Sequence, residues 1–426
     1  MASSRKVATV LSEVVAPGLP LAFEAYDGSR AGPADALCTL RITDPRALNY
    51  VATAPSDLGL ARAYVAGYLD LEGDLFTALM MVAGEHVGSL TWADRLKVLK
   101  GLGLGILKPL APPPQETRPG LWWGLRHSLE RDSRAVSHHY DVSNRFYEWL
   151  LGPTMAYTCA VYPHDGASLE QAQEEKVDLV CRKLDLQPGQ RLLDVGCGWG
   201  TMVLHAARHY GVKVLGVTLS RQQAEWGQKR IAELGLSDVA EIRHDDYRNV
   251  KESGFDAISS IGLTEHIGAR NLPSYVSFLA GKVREQGRFL NHCITRPVSS
   301  APARTGGFIN RYVFPDGELE AVGTIISAIQ DHGFEVRHEE NLREHYARTC
   351  AAWGANLEAH WDEAVAEVGQ AVARVWKLYL AGSRLGFTQR RIELHQVLAV
   401  RTDAGGFSGM PLERLDFSRP RAASPA

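Results

Sequence analysis

The stretch QRLLDVGCGWGTMVLHAARHYGVKVLGVTLS, Gln190 to Ser220, constrains the fold more than any other part of the chain. It reads as strand, glycine-rich turn, helix, strand. Glycines placed straight after a strand and before a helix let the backbone turn sharply and approach a ligand closely. Further strand-like runs follow near residues 240–243, 255–263, 288–293, 334–338 and 394–400, with helical patterns between them. Strands alternating with helices imply an α/β fold built on a doubly wound, Rossmann-like, mostly parallel sheet.

The glycine spacing narrows the ligand. A dinucleotide loop wants GxGxxG, whereas this one is GxGxG (Gly196, Gly198, Gly200) preceded by Asp194. No pyrophosphate is cradled, and the pattern is the first-loop signature of methyltransferases that use S-adenosylmethionine. The second strand ends in Thr218 rather than in the acid that usually holds ribose hydroxyls, and Gln223 is the first substitute in the following turn. After the third strand comes HDDY. By itself this reads as a surface turn. Beside the glycine loop it reads as Asp246 for the adenine amino group and Tyr247 against the ring.

A chain of 426 residues with 45% hydrophobic and 22% charged residues buries a large core, and a formal net charge of -3 gives no global pull toward nucleic acid. Six scattered cysteines without a CxxC pair fit free thiols in a reducing compartment and argue against a structural zinc. The start lacks an uninterrupted apolar core before a cleavage site, and no run of about 18 apolar residues exists, so neither signal peptide nor spanning helix is expected. The expected location is cytoplasmic.

Four regions are expected. Residues 1–100 form an N-terminal α+β accessory domain: LAFEAYDGSRAG and CTLRITDP read as short strands, and LGLARAYVAGYLDLEGDLFTALMMVA as helical. Residues 101–120 are a Gly/Pro-rich linker. The run from Leu96 leaves two readings open: a core helix or plain linker, or a surface for lipid head groups with apolar residues inward and Lys97, Lys100 and Lys108 outward. Residues 121–412 form the methyltransferase domain, and 413–426 a disordered tail.

The stretches HYDVSNRFYEWLLGPTMAYTCAVY, LEQAQEEKVDLVCRKLDLQPGQRLLDVGCGWG, GVTLSRQQ, DYR, GLTEHIG, LNHCIT, RYVFPDGEL and LREHYARTCAAW occur in the order found in one family. Over about residues 137–402 the chain resembles the cyclopropane fatty acid synthases, which include the mycolic acid cyclopropane synthases. The first hundred residues are similar to the family's N-terminal domain only loosely. The variants GLTEHIG and NHCITR look most like an actinobacterial branch making 10-methylene-stearoyl chains, the precursor of tuberculostearic acid. Many members have a different residue in place of Thr264, and Leu-His-Thr-Ile where this chain has Asn291-His292-Cys293-Ile294. The late cysteine of some members is Ser383 here, which places a covalent cysteine mechanism in doubt.

The resemblance implies transfer of a one-carbon unit from S-adenosylmethionine to the cis double bond of an unsaturated, oleoyl-type phospholipid chain. It implies a bicarbonate ion as base, held by Cys159, Glu265, His292, the Ile294 backbone and Tyr346. Cofactor contacts carry over to Tyr157, Thr158, the loop Asp194, Gly196, Cys197, Gly198 and Gly200, then Thr218, Leu219, Gln223, Asp246 and Tyr247. The segment from His139 to Asn144 matches one that closes over the cofactor. Helices from Tyr346 to Arg391 are expected to roof an acyl tunnel, although plain core is the competing reading. Implied partners are a membrane phospholipid, met from the inner face as a peripheral protein, a flavin- or nicotinamide-dependent reductase acting on the product, and a homodimer mate. Ring closure to a cyclopropane, a small-molecule methyltransferase and a silent lipid- or cofactor-binding protein are the competing readings. A small-molecule methyltransferase does not need YTCA, TEH and NHCI together, and a silent protein fits a degraded base site, whereas this one is intact at Cys159, Glu265, His292 and Tyr346.

Overall fold

The computed structural model describes residues 6–14, 17–54, 57–84, 92–117, 142–300, 306–315, 317–412 and 416–417. The end of the expected linker, the start of the expected methyltransferase domain, the first three residues of the closing segment (139–141) and the tail beyond 417 lie outside them. The chain divides into two units. One comprises Met1–Pro119, Gly306–Pro315 and Leu357–Leu385, and the other Gly120–Thr305, Asp316–Asn356 and Gly386–Ala426.

The first unit carries a four-stranded sheet, order β2-β1-β3-β4, from β1 (Leu21–Ala25), β2 (Arg30–Ala31), β3 (Cys38–Ile42) and β4 (Leu69–Glu72). Helices α1 (Val7–Val14), α2 (Arg46–Thr53), α3 (Asp57–Val65), α4 (Leu75–Gly84) and α5 (Trp92–Leu102) accompany it. The stretch expected to be helical throughout from residue 58 is broken by β4. Leu69 and Leu71 alternate with Asp70 and Glu72, and this period of two pairs antiparallel with β3. Leu21, Phe23, Cys38, Ile42, Ala47 and Tyr50 make its core.

The second unit carries a seven-stranded sheet, order β10-β11-β9-β8-β5-β6-β7. Its strands are β5 (Arg191–Val195), β6 (Lys213–Thr218), β7 (Ala240–His244), β8 (Phe255–Ile261), β9 (Val283–Thr295), β10 (Glu335–Asn341) and β11 (Glu393–Val400). Strands β5 to β9 form the parallel part, and β11 followed by β10 extends it antiparallel on the β9 side. Its helices are α6 (Asn144–Leu151), α7 (Leu169–Leu184), α8 (Thr201–Tyr210), α9 (Arg221–Glu233), α10 (Leu272–Lys282) and α11 (Val322–Asp331). Alternate strand residues bury on opposite faces. Leu192, Ala257, Leu290 and Leu398 pack with Val177, Val180, Met202 and Val203, whereas Leu193, Ile258, Phe289 and Val397 pack with Tyr275, Leu279 and Ile325. A sheet apolar on both faces needs a helix layer on each.

Helix α7 starts where Ser168 Oγ accepts from the Gln171 backbone N–H and Gln171 Oε1 accepts from that of Ser168, a reciprocal capping box. It stops at Asp185, whose φ of 53° lies in the left-handed region.

The late helices are α12 (Arg343–Ala359), α13 (Trp361–Val368) and α14 (Gln370–Thr388). Here the structure differs from the expected single domain over 121–412, because Leu357–Leu385 packs within the first unit. The Arg374 guanidinium donates to the Tyr64 and Leu69 carbonyls and to Asp70, and Arg384 lies over the Phe76 ring at 3.6 Å. Gly306–Pro315 joins the same unit: the Phe308 N–H donates to Asp57, and the buried Glu116 carboxylate accepts from Arg62 and Tyr312. Ser383 therefore belongs to a helix segment of the first unit.

Candidate active site

The carboxyl ends of β5, β6, β8 and β9 gather most of the residues singled out by sequence. After β5 the loop runs through Gly196, Gly198 and Gly200, all at positive φ (75°, 56° and 88°). The φ of 88° at Gly200 demands glycine there, and a Cβ would in addition stand 2.3 Å from Ile242 Cδ1 and push that methyl aside. Gly200 caps α8, whose first N–H groups face the loop.

Asp194, next to last in β5, is buried, and its Oδ1 accepts from Ser259 Oγ of β8 at 2.6 Å. Burial pushes its carboxyl up to about 6, while the Ser259 hydrogen bond and the charge of Lys176 pull the other way. Lys176, on the buried face of α7, is itself pushed down to about 8 by burial. A buried acid and a buried base thus influence each other through their charges near the loop. Cys197 is buried, and burial raises its thiol well above the usual range.

Thr218 Oγ1 donates to Gln223 Oε1 at 2.8 Å, so the substitute for the missing acid is in contact with the end of β6, and Leu219 follows directly. Beyond β7, both Asp246 oxygens already accept from Arg248, and Tyr247 packs edge-on against Tyr275 and Phe278. An adenine amino contact at Asp246 would share that carboxylate with Arg248.

Glu265 sits in a single helical turn, Thr264–Ile267, straight after β8. Its Oε1 accepts from the Ile294 N–H at 2.6 Å, and its Oε2 is buried with no hydrogen-bond partner. Burial pushes this carboxyl up to about 7, against the Ile294 hydrogen bond. His292, two residues earlier on β9, is completely buried. Its Nε2 lies 3.2 Å from Thr158 Oγ1, and burial together with the charges of Lys176 and Lys183 drives it well below the usual imidazole range. His292 is therefore a neutral imidazole.

Tyr346 lies in the first turn of α12, and Cys159, in the loop that follows α6, reaches the start of that helix. The Cys159 thiol donates to the Ala160 and Leu342 carbonyls, and burial raises it well above its ordinary range, so it is an inert neutral thiol. Tyr346 follows Leu342 by one turn and stacks on Phe387 with centroids 4.4 Å apart. Trp353 touches both Tyr346 and Tyr157, giving an aromatic wall beside the polar groups. The structure thus joins Thr158 to His292, Glu265 to Ile294, and Cys159 to the helix of Tyr346.

Sequence reasoning missed Lys176, Lys183, Ser259 and Gln396. The first two were legible in principle, since positions 169, 172, 176, 180 and 183 form one apolar helical stripe that two lysines interrupt. It also missed Glu174, His205 and His209, whose donor atoms lie within 4.8 Å of one another on α7 and α8.

A family model described as mycolic acid cyclopropane synthetase matches residues 127–397, more than half of the chain. The chain belongs to the mycolic acid cyclopropane synthetase family. It is an S-adenosylmethionine-dependent methyltransferase of that family, with the class I methyltransferase fold. It is 54% identical over 404 residues to a protein of Mycobacterium tuberculosis named a probable fatty acid methyltransferase, covering 92% of this chain and 94% of that one. It is 31% identical over 378 residues to the cyclopropane-fatty-acyl-phospholipid synthase of Escherichia coli, covering 88% and 91%. Among solved structures, the mycolic acid cyclopropane synthase CmaA1 complexed with SAH and CTAB is similar, with 33% identity and a TM-score of 0.60. That match covers 63% of this chain and 97% of the other. The first two similarities extend into the N-terminal unit, which the sequence had linked to the family only loosely.

Proposed function

We propose that this enzyme adds the one-carbon unit of S-adenosylmethionine to the cis double bond of an oleoyl-type phospholipid chain and releases a 10-methylene acyl product. The observation that carries the reading is Glu265: a buried carboxyl with one oxygen unpartnered, beside a neutral His292 and at the strand ends that bear the glycine loop. The identity gradient supports methylene over ring, since the 54% relative is named a fatty acid methyltransferase and the 31% relative a cyclopropane synthase.

The alkene attacks the sulfonium methyl, the new C–C bond forms as the S–C bond breaks, and S-adenosylhomocysteine leaves. The acyl chain becomes a carbocation, which water would trap in an open site. The aromatic wall of Tyr157, Tyr346 and Trp353 excludes water there. A hydride shift followed by loss of a proton from the transferred carbon gives the exocyclic methylene, whereas direct loss closes a ring. Bicarbonate, when bound, supplies a base of carboxylate strength. The unpartnered Glu265 Oε2 fits such an anion, because a carboxyl pushed up to about 7 keeps a proton to donate. Ile294 holds Glu265 in place, Tyr346 and Cys159 complete the pocket, and Thr158 with Tyr157 faces the co-substrate.

Expression in a host that has oleoyl phospholipids and lacks its own cyclopropane synthase should add one CH2 to that chain. The proton spectrum should show exocyclic methylene signals rather than upfield ring signals. Unchanged lipids alongside purified protein that binds S-adenosylmethionine would sink the proposal. A methylene product needs a hydride-donating, flavin- or nicotinamide-dependent reductase to become a methyl branch, so we assign such an enzyme as the next in sequence.

The substrate requires access to a membrane, and among the described residues no helix is long and apolar enough to cross one. We assign a peripheral position on the inner face, with a homodimer as the expected assembly. Supporting the membrane contact, Leu96, Leu104 and Leu107 are 53%, 75% and 45% exposed, among the exposed Lys97, Lys100 and Lys108. The arrangement corrects the expectation of apolar residues inward: Val98, Leu99 and Leu102 pack inward, while these three leucines point out with the lysines. Replacing the three lysines together by Gln should weaken co-sedimentation with phosphatidylglycerol vesicles by on the order of 100-fold, at about 1 kcal/mol per lysine. Unchanged binding would remove this surface from the membrane contact.

A further inference from the structure

His292 does not stand alone on its strand. Gln396 of β11 lies directly opposite it in register, and the Gln396 side-chain amide meets His292 Nδ1 at 3.1 Å. On the other side of that amide, the Lys183 ammonium approaches Gln396 Oε1 at 2.7 Å. Lys183 is completely buried in the last turn of α7 and is held by the Glu340 carboxylate.

The chemistry of these groups leaves one arrangement. An ammonium has three donors and no acceptor, so the amide must turn its oxygen toward Lys183. The reverse orientation would set an NH2 group against an ammonium. The Gln396 NH2 group then faces His292 Nδ1 and can only donate, so Nδ1 must accept. The imidazole proton is left on Nε2, which points at Thr158 Oγ1. The donor inventory alone sets this orientation of the amide.

We infer that Lys183 and Gln396 are positioning residues that fix His292 as the neutral tautomer carrying its proton on Nε2. His292 is then a fixed hydrogen-bond donor into the reacting end of the site and not the group that takes the substrate proton. The inference rests on the proposed role of His292 in that site. It explains why a lysine is buried behind the sheet. A neutral glutamine between two apolar layers could rotate, and the ammonium removes that freedom. Glu340 supplies the countercharge that keeps the lysine protonated.

The test is the ring-nitrogen spectrum of full-length protein labelled with 15N-histidine, with the His292 signals assigned by their loss in His292→Asn. Wild type should show a protonated Nε2 and a bare Nδ1. Gln396→Glu preserves shape but presents only acceptors to Nδ1, so the proton should move to Nδ1 or the ring should become an imidazolium. Loss of the Nε2–H donor alone, or its conversion to a charged one, should lower kcat on the order of 100-fold while KM for S-adenosylmethionine stays unchanged. Lys183→Met should give mixed tautomers, and Lys183→Arg should restore the wild-type spectrum. A wild-type ring protonated on Nδ1 would overturn the inference, as would a Gln396→Glu protein that keeps both the wild-type tautomer and kcat. If Gln396→Glu does not fold, the wild-type spectrum still decides. The outcomes are separable from those of the proposed function: the spectrum needs no substrate, and a lipid that stays unmodified leaves the tautomer as measured.

Discussion

Glu265→Gln is expected to lose turnover on the order of 100- to 10,000-fold, the range for a group that serves proton transfer, while binding of S-adenosylmethionine persists. In the proposed reaction the carboxyl serves the base side of the site and not the glycine loop. The same substitution should flatten the pH dependence of stability. In the folded protein this carboxyl holds its proton up to about 7, against 4.5 in the unfolded chain. Below 4.5 both states are protonated and the burial costs little. Between 4.5 and 7 the unfolded chain releases a proton that the folded one keeps, so stability falls as pH rises. At 1.36 kcal/mol per unit the loss amounts to about 3 kcal/mol by pH 8. Gln cannot ionise, so the stability difference between variant and wild type should shift in the variant's favour by about that amount from pH 4.5 to pH 8. Urea titrations at the two pH values measure it. Near-wild-type turnover, or an identical pH slope in both proteins, would show that Glu265 is neither the base-site carboxyl nor a strained one.

Arg374→Ala should destabilise the first unit by on the order of 3 kcal/mol. The guanidinium is buried and satisfies the carbonyls of Tyr64 and Leu69 as well as Asp70. Removing it leaves two carbonyl groups without their donor and strips the cation from the Tyr64 ring. Because Leu357–Leu385 reaches this unit from far along the chain, the loss should appear as easier proteolysis in that segment before the seven-stranded sheet unfolds. Arg374→Lys should recover part of the stability, since an ammonium can reach one carbonyl but not span three acceptors. A denaturation midpoint unchanged in Arg374→Ala would mean that α14 does not anchor the unit.

The glycine loop and the strands around it were legible because local rules act there. Gly200 needs φ of 88°, with the Ile242 methyl where a Cβ would stand, and that backbone demand leaves a mark in the sequence as glycine. The period of two in Leu69–Glu72 was equally present but was outweighed by the helical spacing on either side, and pairing with β3 settled it. Lys176 and Lys183 were visible as charges on an apolar stripe. A sequence shows that such a charge is costly, but not which partner offsets it, because Asp194, Glu340 and Gln396 arrive from distant strands.

The sequence by itself determined the sheet, the methyltransferase loop and the candidate residue types, because backbone conformation and strand or helix period are set within a few neighbours. Only the tertiary structure decided that Leu357–Leu385 packs with the N-terminal unit, that the Cys159 thiol is inert, that Glu265 keeps an unpartnered oxygen, and that His292 faces an amide clamped by Lys183. Those properties are set by desolvation and by hydrogen bonds between groups 29 to 213 residues apart, which exist once the layers have closed.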